Sequence, residues 1–196
     1  MKVCFLRHAQ GTHNADALLH GPIVYELWRH KDAALTPLGY SQAASICLPF
    51  VPDRVYCSPL RRCIETIRPS LPTATLILHD GLLERQGHHP CNVRESKTFL
   101  HSFDSNMNLS KLPEAHNYSF EIRESHETLK MRISSTLADI YKESMAARAS
   151  QILIVGHCDA FDSVLGIRLK NAETYVINVT PEATLQVGTE SVGLDS

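Results

Sequence analysis

Five side chains in the sequence have the types that phosphate chemistry requires. They are two arginines, two histidines and a glutamate: Arg7, His8, Arg62, Glu84 and His157. An unprotonated imidazole can attack a phosphoryl group and hold it as a phosphohistidine, which divides one difficult displacement into two easier ones. A carboxylic acid can protonate the departing alkoxide and then accept a proton from the attacking water. Because guanidinium groups present planar donor forks to phosphate oxygens, the set suits phosphoryl transfer.

The cations in this set have two expected effects. Arg7 and Arg62 favour the neutral, nucleophilic form of His8 by charge repulsion. They also stabilise the charge that the phosphate oxygens carry in the transition state. We expect His157 to add a third cationic donor and Asn14 a side-chain amide. Since side chains supply the positive charge, we expect no metal.

Each of these residues follows a segment with the pattern of a buried strand. The segments alternate with helical patterns and lie at Lys2–Leu6, Arg54–Cys57, Thr75–His79 and Gln151–Val155. The alternation predicts an α/β fold, a three-layer αβα sandwich around a mostly parallel, doubly wound sheet. Ligands of such sheets bind at the carboxyl ends of the strands. Taken alone, Arg7-His8 also fits a solvated strand end, but four strand ends that meet at one edge predict an anion site.

Capping residues indicate where the helices begin. Thr36-Pro37 and Ser58-Pro59 each combine an N-cap residue with proline at the first helical position, and Ser125 is expected to cap the longest helix. The helix after Ser58 is expected to run to about Arg68, with Arg62 in its first turn. The remaining expected elements are short helices at 15–19 and 160–167 and two closing strands at 174–179 and 183–187.

One long stretch, from Arg85 to about Arg123, has no sustained hydrophobic period. It is polar and rich in histidine, and such stretches are typically functional loops or lids. We therefore predict a single catalytic domain, residues 1–196, with a cap inserted at about residues 85–123 (the cap segment). Four side chains in it either recognise the substrate or form a solvated polar loop: His88, His89, Arg94 and Lys97.

The net charge and composition indicate which kinds of binding partner the sequence does not favour. The net charge is −2 and the sequence pI is about 6.6, so no global basic field favours nucleic acid or an anionic membrane. No apolar run approaches the ~20 residues of a membrane span. Six scattered cysteines in a chain that does not open on a signal peptide are expected to be reduced, which favours the cytoplasm. The sequence leaves the oligomeric state open.

Six segments, in order along the chain, resemble motifs of the histidine phosphatase superfamily, the phosphoglycerate mutase-like clan. They are Arg7-His8-Ala9 with Asn14, residues 35–43, residues 58–66, Leu82-Leu83-Glu84, Glu124-Ser125 with Arg132, and Val155-Gly156-His157. The resemblance implies that His8 is the phosphorylated nucleophile and Glu84 the proton donor. It implies a phosphate pocket made by Arg7, Arg62 and His157, with Asn14 as a further ligand. Gly21 corresponds to a Ser-Gly pair that touches phosphate in the mutases, although His20 departs from serine.

Two other positions depart from the family pattern. Ala9 replaces the usual glycine after the nucleophile, and its small methyl group is expected to preserve activity. Asp159 follows His157 closely, where small residues are usual. If it points inward, it either repels phosphate or pairs with an arginine; if it points outward, it has no effect.

The sequence favours a metal-independent phosphomonoesterase acting on a small phosphorylated metabolite. The alternative is an isomerase of the phosphoglycerate mutase type, which alone would need 2,3-bisphosphoglycerate as cofactor. Arg85 matches the mutases, but their tyrosine and downstream lysine are missing. A third reading is a family member that binds phosphorylated ligands without turnover. A fourth is a zinc module at His88-His89 and Cys91, although no second pair of ligands has matching spacing.

Overall fold

A six-stranded sheet forms the centre of the described part of the chain, which comprises residues 1–114, 118 and 120–180 of this computed structural model. The strands are β1 (Lys2–Arg7), β2 (Arg54–Cys57), β3 (Leu76–His79), β4 (Met107–Lys111), β5 (Gln151–Gly156) and β6 (Thr174–Asn178). Their order is β4-β3-β2-β5-β1-β6. All neighbours are parallel except β6, which runs antiparallel to β1 at the edge. The prediction of a mostly parallel α/β sheet is confirmed.

Helices cover both faces of the sheet. They are α1 (Thr12–His20), α2 (Pro37–Ala44), α3 (Arg61–Ile67), α4 (Lys97–Phe103), α5 (His126–Ala146) and α6 (Cys158–Leu165). Successive strand residues point to opposite faces. Cys4 and Leu6 of β1 accordingly join the core with α3 and α4, whereas Val3 and Phe5 join the core with α5 and α6. Two separate hydrophobic cores therefore bind the three layers together.

Two of the three predicted helix caps are confirmed and one is wrong. The hydroxyls of Thr36 and Ser125 accept hydrogen bonds from backbone N–H groups of α2 and α5, at 2.9 and 3.0 Å. Ser58 does not cap α3, which begins at Arg61. Instead, Oδ1 of the distant Asp32 accepts a hydrogen bond from the Arg61 N–H at 2.9 Å. The Ser58 hydroxyl instead forms a hydrogen bond with His157. The two residues are far apart in the sequence, so a local capping pattern could not predict this contact.

The cap segment contains regular structure, contrary to expectation. It includes α4, capped by Ser96, and β4, which pairs in parallel with β3 and extends the sheet. The buried apolar residues of these two elements are few, chiefly Leu100 and Met107. Because so few apolar positions are spaced along the segment, the sequence shows no helical or strand period there. The remaining parts of the segment, near residues 89–92 and 123, border the cavity described below. A covering role for those parts stays a prediction.

The other boundaries differ from the sequence predictions by a few residues. Helix α1 starts three residues earlier than expected, because Oδ1 of Asn14 accepts a hydrogen bond from the Gly11 N–H at 3.0 Å and closes its first turn. Helix α6 starts directly after His157. The predicted strand at 183–187 lies outside the described residues. Among the helices that are described, none is long and apolar enough to cross a membrane.

Candidate active site

The two histidines of the sequence prediction lie side by side at the carboxyl ends of adjacent strands. Strands β1 and β5 are in register, with Arg7 opposite Gly156, so His8 and His157 leave the sheet at the same level. Their ring centroids are 5.1 Å apart. A cavity of about 430 Å³ opens over this edge. Five of the predicted residues line it, namely Arg7, His8, Asn14, Arg62 and Glu84, whereas the fully buried His157 is not among the lining residues.

His8 is held as a neutral imidazole in one tautomer. Its Nδ1 lies 2.7 Å from the carbonyl oxygen of Ala9, and a hydrogen bond there requires the proton on Nδ1. Nε2 is then unprotonated. Burial, followed by the charges of Arg62 and Arg7, holds the pKa of His8 well below its ordinary value. The unprotonated Nε2 therefore carries the lone pair of the ring, and it faces Nε of Arg62.

Arg62 is almost completely buried and joins the histidines to the cap segment. Its Nε lies 3.3 Å from Nε2 of His8, and its Nη2 lies 3.3 Å from Nδ1 of His157. Nη1 donates to the carbonyl oxygen of Cys91 at 2.6 Å, and Nη2 donates to Oδ1 of Asn92 at 2.9 Å. The cap segment thus fixes the plane of the guanidinium beside His8.

His157 is fully buried and hydrogen-bonded on both sides. Its Nε2 lies 2.7 Å from the Ser58 hydroxyl, while Nδ1 faces the Arg62 guanidinium. Burial and the charge of Arg62 hold the pKa of His157 well below its ordinary value. His157 is therefore neutral here, and the expectation of a third cationic donor is wrong for this state of the site. The physical reason is chiefly burial, which disfavours the charged imidazolium, and the charge of Arg62 adds to this effect.

Glu84 binds the amino-terminal end of α6. Its carboxylate accepts hydrogen bonds from the backbone N–H groups of Asp159 and Ala160, at 3.1 and 3.0 Å, and from that of Arg85 at 2.9 Å. These bonds favour the ionised form, but burial and the charge of Asp159 outweigh them and raise the pKa of Glu84. A raised carboxyl pKa is what a general acid near neutral pH needs.

Of the other three residues with a predicted role in phosphate binding, Arg7 and Asn14 lie at the cavity and Gly21 does not. Arg7 lines the cavity, where its Nη1 donates to the carbonyl oxygen of Leu169 at 2.6 Å. Asn14 also lines the cavity, and its Oδ1 is engaged with Gly11 while its Nδ2 makes no hydrogen bond to the described part of the chain. Gly21 ends α1 with a φ of 79° and is not among the cavity-lining residues. The structure does not bring Gly21 to the site.

A sequence profile of the histidine phosphatase superfamily (branch 1) matches residues 3–184. The chain belongs to this superfamily. Two curated relatives match over part of their length. One, from Saccharomyces cerevisiae, is named as a probable phosphoglycerate mutase and is 31% identical over 45% of this chain and 41% of its own. The other, from Schizosaccharomyces pombe, is named as a probable phosphatase and is 33% identical over 52% and 49%. The matches span less than half of each relative.

Solved structures of the superfamily share the fold. The ecdysone phosphate phosphatase of Bombyx mori, in complex with tungstate, superposes with a TM-score of 0.63 over 92% of this chain and 90% of its own, at 18% identity. The α-ribazole phosphatase of Shigella flexneri gives 0.62 over 93% and 92%, at 20% identity. A phosphoglycerate mutase of Thermus thermophilus gives 0.58 over 91% and 93%, at 16% identity. Proteins named as phosphatases and a protein named as a phosphoglycerate mutase therefore share this fold, so the fold alone does not distinguish the two activities.

Asp159, the departure from the superfamily pattern, pairs with an arginine. Its Oδ1 accepts a hydrogen bond from Nη2 of Arg168 at 2.9 Å, and Arg168 also binds Asp162 at 2.6 Å. Both Asp159 and Arg168 line the cavity. The sequence left open whether Asp159 repels phosphate, pairs with an arginine or has no effect. In the structure its carboxylate is paired with an arginine.

The cap-segment residues that were candidates for substrate recognition are mostly structural. Arg94 is buried and pairs with Asp80 at 2.7 Å, and Lys97 pairs with Glu114 at 2.9 Å. His89 does line the cavity, whereas His88 does not. In the described part of the chain, no group of three or more His, Cys, Asp or Glu side chains is arranged to hold a metal ion, so the zinc reading gains no support.

His13, Tyr25 and Arg123 are among the cavity-lining residues that sequence reasoning missed. His13 could have been predicted, because it comes directly before Asn14, which was predicted to bind phosphate. Tyr25 lies in a 3₁₀ turn at Pro22–Glu26, and Arg123 lies just before α5. Neither position shows a pattern in the sequence.

Proposed function

We propose that the chain is a metal-independent phosphomonoesterase that acts on a small phosphorylated molecule through a phosphohistidine intermediate. The observation that carries this proposal is the state of His8: Nδ1 is engaged by the Ala9 carbonyl oxygen, and Nε2 is neutral beside the Arg62 guanidinium. A neutral imidazole with a fixed tautomer next to a buried cation is arranged to attack an electrophilic phosphorus. Asn14 and His157 are proposed as further phosphate ligands.

The proposed reaction has two displacements. Nε2 of His8 attacks phosphorus, the bond to the ester oxygen breaks, and Glu84 gives its proton to the departing alkoxide. The carboxylate of Glu84 then takes a proton from water, the water oxygen attacks phosphorus, and the bond to Nε2 breaks. Phosphate leaves, and His8 and Glu84 regain their starting states. Arg7 and Arg62 neutralise charge on the phosphate oxygens throughout, so that no metal is required.

A mutase is the second candidate, supported by the name of one relative. In a mutase the phosphohistidine transfers its group back to a substrate hydroxyl, and a bisphosphate primes the enzyme. The cap segment offers limited support for a second phosphate, because two of its cations, Arg94 and Lys97, are engaged by carboxylates. We therefore favour hydrolysis.

We also propose a cytoplasmic location. All six cysteines are free, and four of them, Cys4, Cys57, Cys63 and Cys91, are buried thiols. Free buried thiols are typical of proteins from reducing compartments. The net charge of −2 gives no support for a nucleic-acid or anionic-membrane partner.

The experiment compares the wild type with His8→Ala on a generic aryl phosphate, with and without a chelator. We expect turnover that is insensitive to chelator, an acid-labile phosphoprotein in the wild type, and the loss of both in His8→Ala. His30→Ala is the matched control, because His30 is similarly buried but does not line the cavity. Turnover that survives in His8→Ala, or that chelator abolishes, would contradict the mechanism. Phosphoglycerates with and without the bisphosphate then separate mutase from hydrolase.

A further inference from the structure

Four rings follow one another along the cavity wall, starting from the nucleophile. The ring centroids of His8 and His13 are 5.9 Å apart, those of His13 and Tyr25 5.7 Å, and those of Tyr25 and His89 5.4 Å. Successive rings are tilted by 36°, 62° and 35° and are not stacked face to face, and all four line the cavity. We call His13, Tyr25 and His89 the ring wall. It extends from the reacting centre towards the cap segment.

The imidazoles of the ring wall are uncharged at neutral pH. Burial and the charge of Arg62 hold the pKa of His13 well below its ordinary value. Burial and the charge of Arg123 lower the pKa of His89 to about 4. Neither ring nitrogen of His13 makes a hydrogen bond to the described part of the chain, and Nδ1 is inaccessible. The rings of this wall are therefore uncharged, and Arg123 is a cation that contacts them at the outer end.

The backbone holds the ring wall in place. At Gly11 a Cβ would lie 2.6 Å from Cε1 of His13, so a larger residue there would require the imidazole to shift from its place against the start of α1. The Tyr118 hydroxyl donates to the carbonyl oxygens of Gly87 and His89, at 2.6 and 2.9 Å. At Gly87 a Cβ would lie 2.4 Å from Cα of Arg123, so this glycine admits Arg123 to the same loop. The wall is thus formed before a ligand arrives.

Arg123 completes the outer end of the wall. Its Nη1 lies 3.0 Å from Nδ1 and 3.1 Å from Nε2 of His89, and it makes no ion pair with a carboxylate of the described residues. A guanidinium plane can stack on an aromatic ring or attract its negative face. Arg168, which also lines the cavity, is occupied by Asp159 and Asp162.

We propose that the ring wall binds the leaving group of the substrate and that this leaving group carries a flat aromatic ring. The ring would lie against Tyr25 and His13, with its outer edge near Arg123, while the phosphate occupies the site of His8 and Arg62. Aromatic side chains favour offset or edge-to-face contacts with another ring, beyond what the buried area alone provides. This proposal specifies the substrate class and rests on the proposed function.

Binding of unreactive phosphonates tests the proposal independently of turnover. Calorimetry on the wild type would compare benzylphosphonate with cyclohexylmethylphosphonate, which has the same seven carbon atoms but no flat aromatic ring. We expect benzylphosphonate to bind about tenfold more tightly. Tyr25→Phe should keep this ratio, and Tyr25→Leu should reduce it to about one. Tyr175→Leu is the matched control, because Tyr175 lies on β6 outside the cavity.

The possible results distinguish a failure of the ring-binding proposal from a failure of the proposed phosphatase function. Equal affinities for the two phosphonates, or an unchanged ratio in Tyr25→Leu, would overturn the ring-binding role. So would tighter binding of 3-phosphoglycerate than of benzylphosphonate, which would make Arg123 an anion site. Absence of His8-dependent turnover with every ester would overturn the proposed function, whereas the phosphonate affinities would still decide whether the wall recognises a ring.

Discussion

The hydroxyl of Ser58 lies 2.7 Å from Nε2 of His157, and both side chains are fully buried. Ser58 comes directly after β2, and His157 directly after β5. Because β2 and β5 are parallel neighbours, the two residues meet at the strand ends. The contact fixes the ring of His157, whose other nitrogen faces Arg62. Ser58 thus acts as a positioning residue for the histidine.

Ser58→Ala should lower both stability and activity. Removal of one partner leaves a buried imidazole N–H unsatisfied, which reduces the free energy of unfolding by about 1–3 kcal/mol. We expect kcat/KM to fall about tenfold, because His157 loses its fixed orientation. Urea unfolding and phosphatase assays measure the two effects. Ser163→Ala is the control: Ser163 is buried in α6 and bonds only to the Ala160 carbonyl oxygen, so its loss should affect stability without affecting kcat/KM.

Glu84→Gln should reduce activity to a degree that depends on the leaving group. The variant cannot protonate a departing alkoxide, so hydrolysis of alkyl phosphates should fall by about 10²–10⁴-fold. A dinitrophenolate needs no proton to leave, so phosphorylation of the enzyme by dinitrophenyl phosphate should be affected far less. Burst kinetics with both esters measure this difference. Equal losses in the burst rate would show that Glu84 is not the acid.

Asp159→Asn should move the pH dependence of activity. The charge of Asp159 raises the pKa of Glu84, whereas the backbone N–H groups of Arg85 and Asp159 and the charge of Arg62 lower it. Removal of the Asp159 charge therefore lowers the pKa of Glu84, which must be protonated to act as the acid. The fall of kcat/KM on the alkaline side should begin at lower pH. An alkaline limb that stays in place or moves upward would contradict this assignment. Asp162→Asn, which removes only the other partner of Arg168, should shift the limb less.

Asp32→Asn should change how stability depends on pH. Burial raises the pKa of Asp32 from 3.8 to about 7 in the folded chain, against the hydrogen bond from the Arg61 N–H. The folded state then binds a proton that the unfolded state has released. The free energy of unfolding should therefore fall as pH rises from about 4 to about 7, by up to about 1.4 kcal/mol per pH unit.

In Asp32→Asn this slope should disappear, while Oδ1 still accepts the bond at the start of α3. Chemical denaturation at a series of pH values measures the slope. Exposed Asp139→Asn is the control and should keep the slope of the wild type. An Asp32→Asn variant with the wild-type slope would show that another group titrates.

The sequence by itself determined five of the six strands and the polar side chains that meet at their ends. Continuous apolar runs such as Ile152–Val155 can only be buried on both faces, and the polar residue that follows each run must lie at the strand end. This local rule predicted that His8, Arg62, Glu84 and His157 share one edge, and the structure brings them there. Thr36 and Ser125 were predictable as caps because capping is also a local interaction.

Only the tertiary structure decided how these groups are tuned. The neutral state of His157, the link from Arg62 to Asn92 and the pairing of Asp159 with Arg168 depend on side chains far apart in the chain. Strand β4 pairs with β3 and α4 places Leu100 in the core, although their own sequence shows no period. The ring wall likewise joins residues 13, 25 and 89, whose contacts are set by loop geometry. Periodicity and capping report nearest neighbours along the chain, whereas charge, burial and cavity shape depend on neighbours in space.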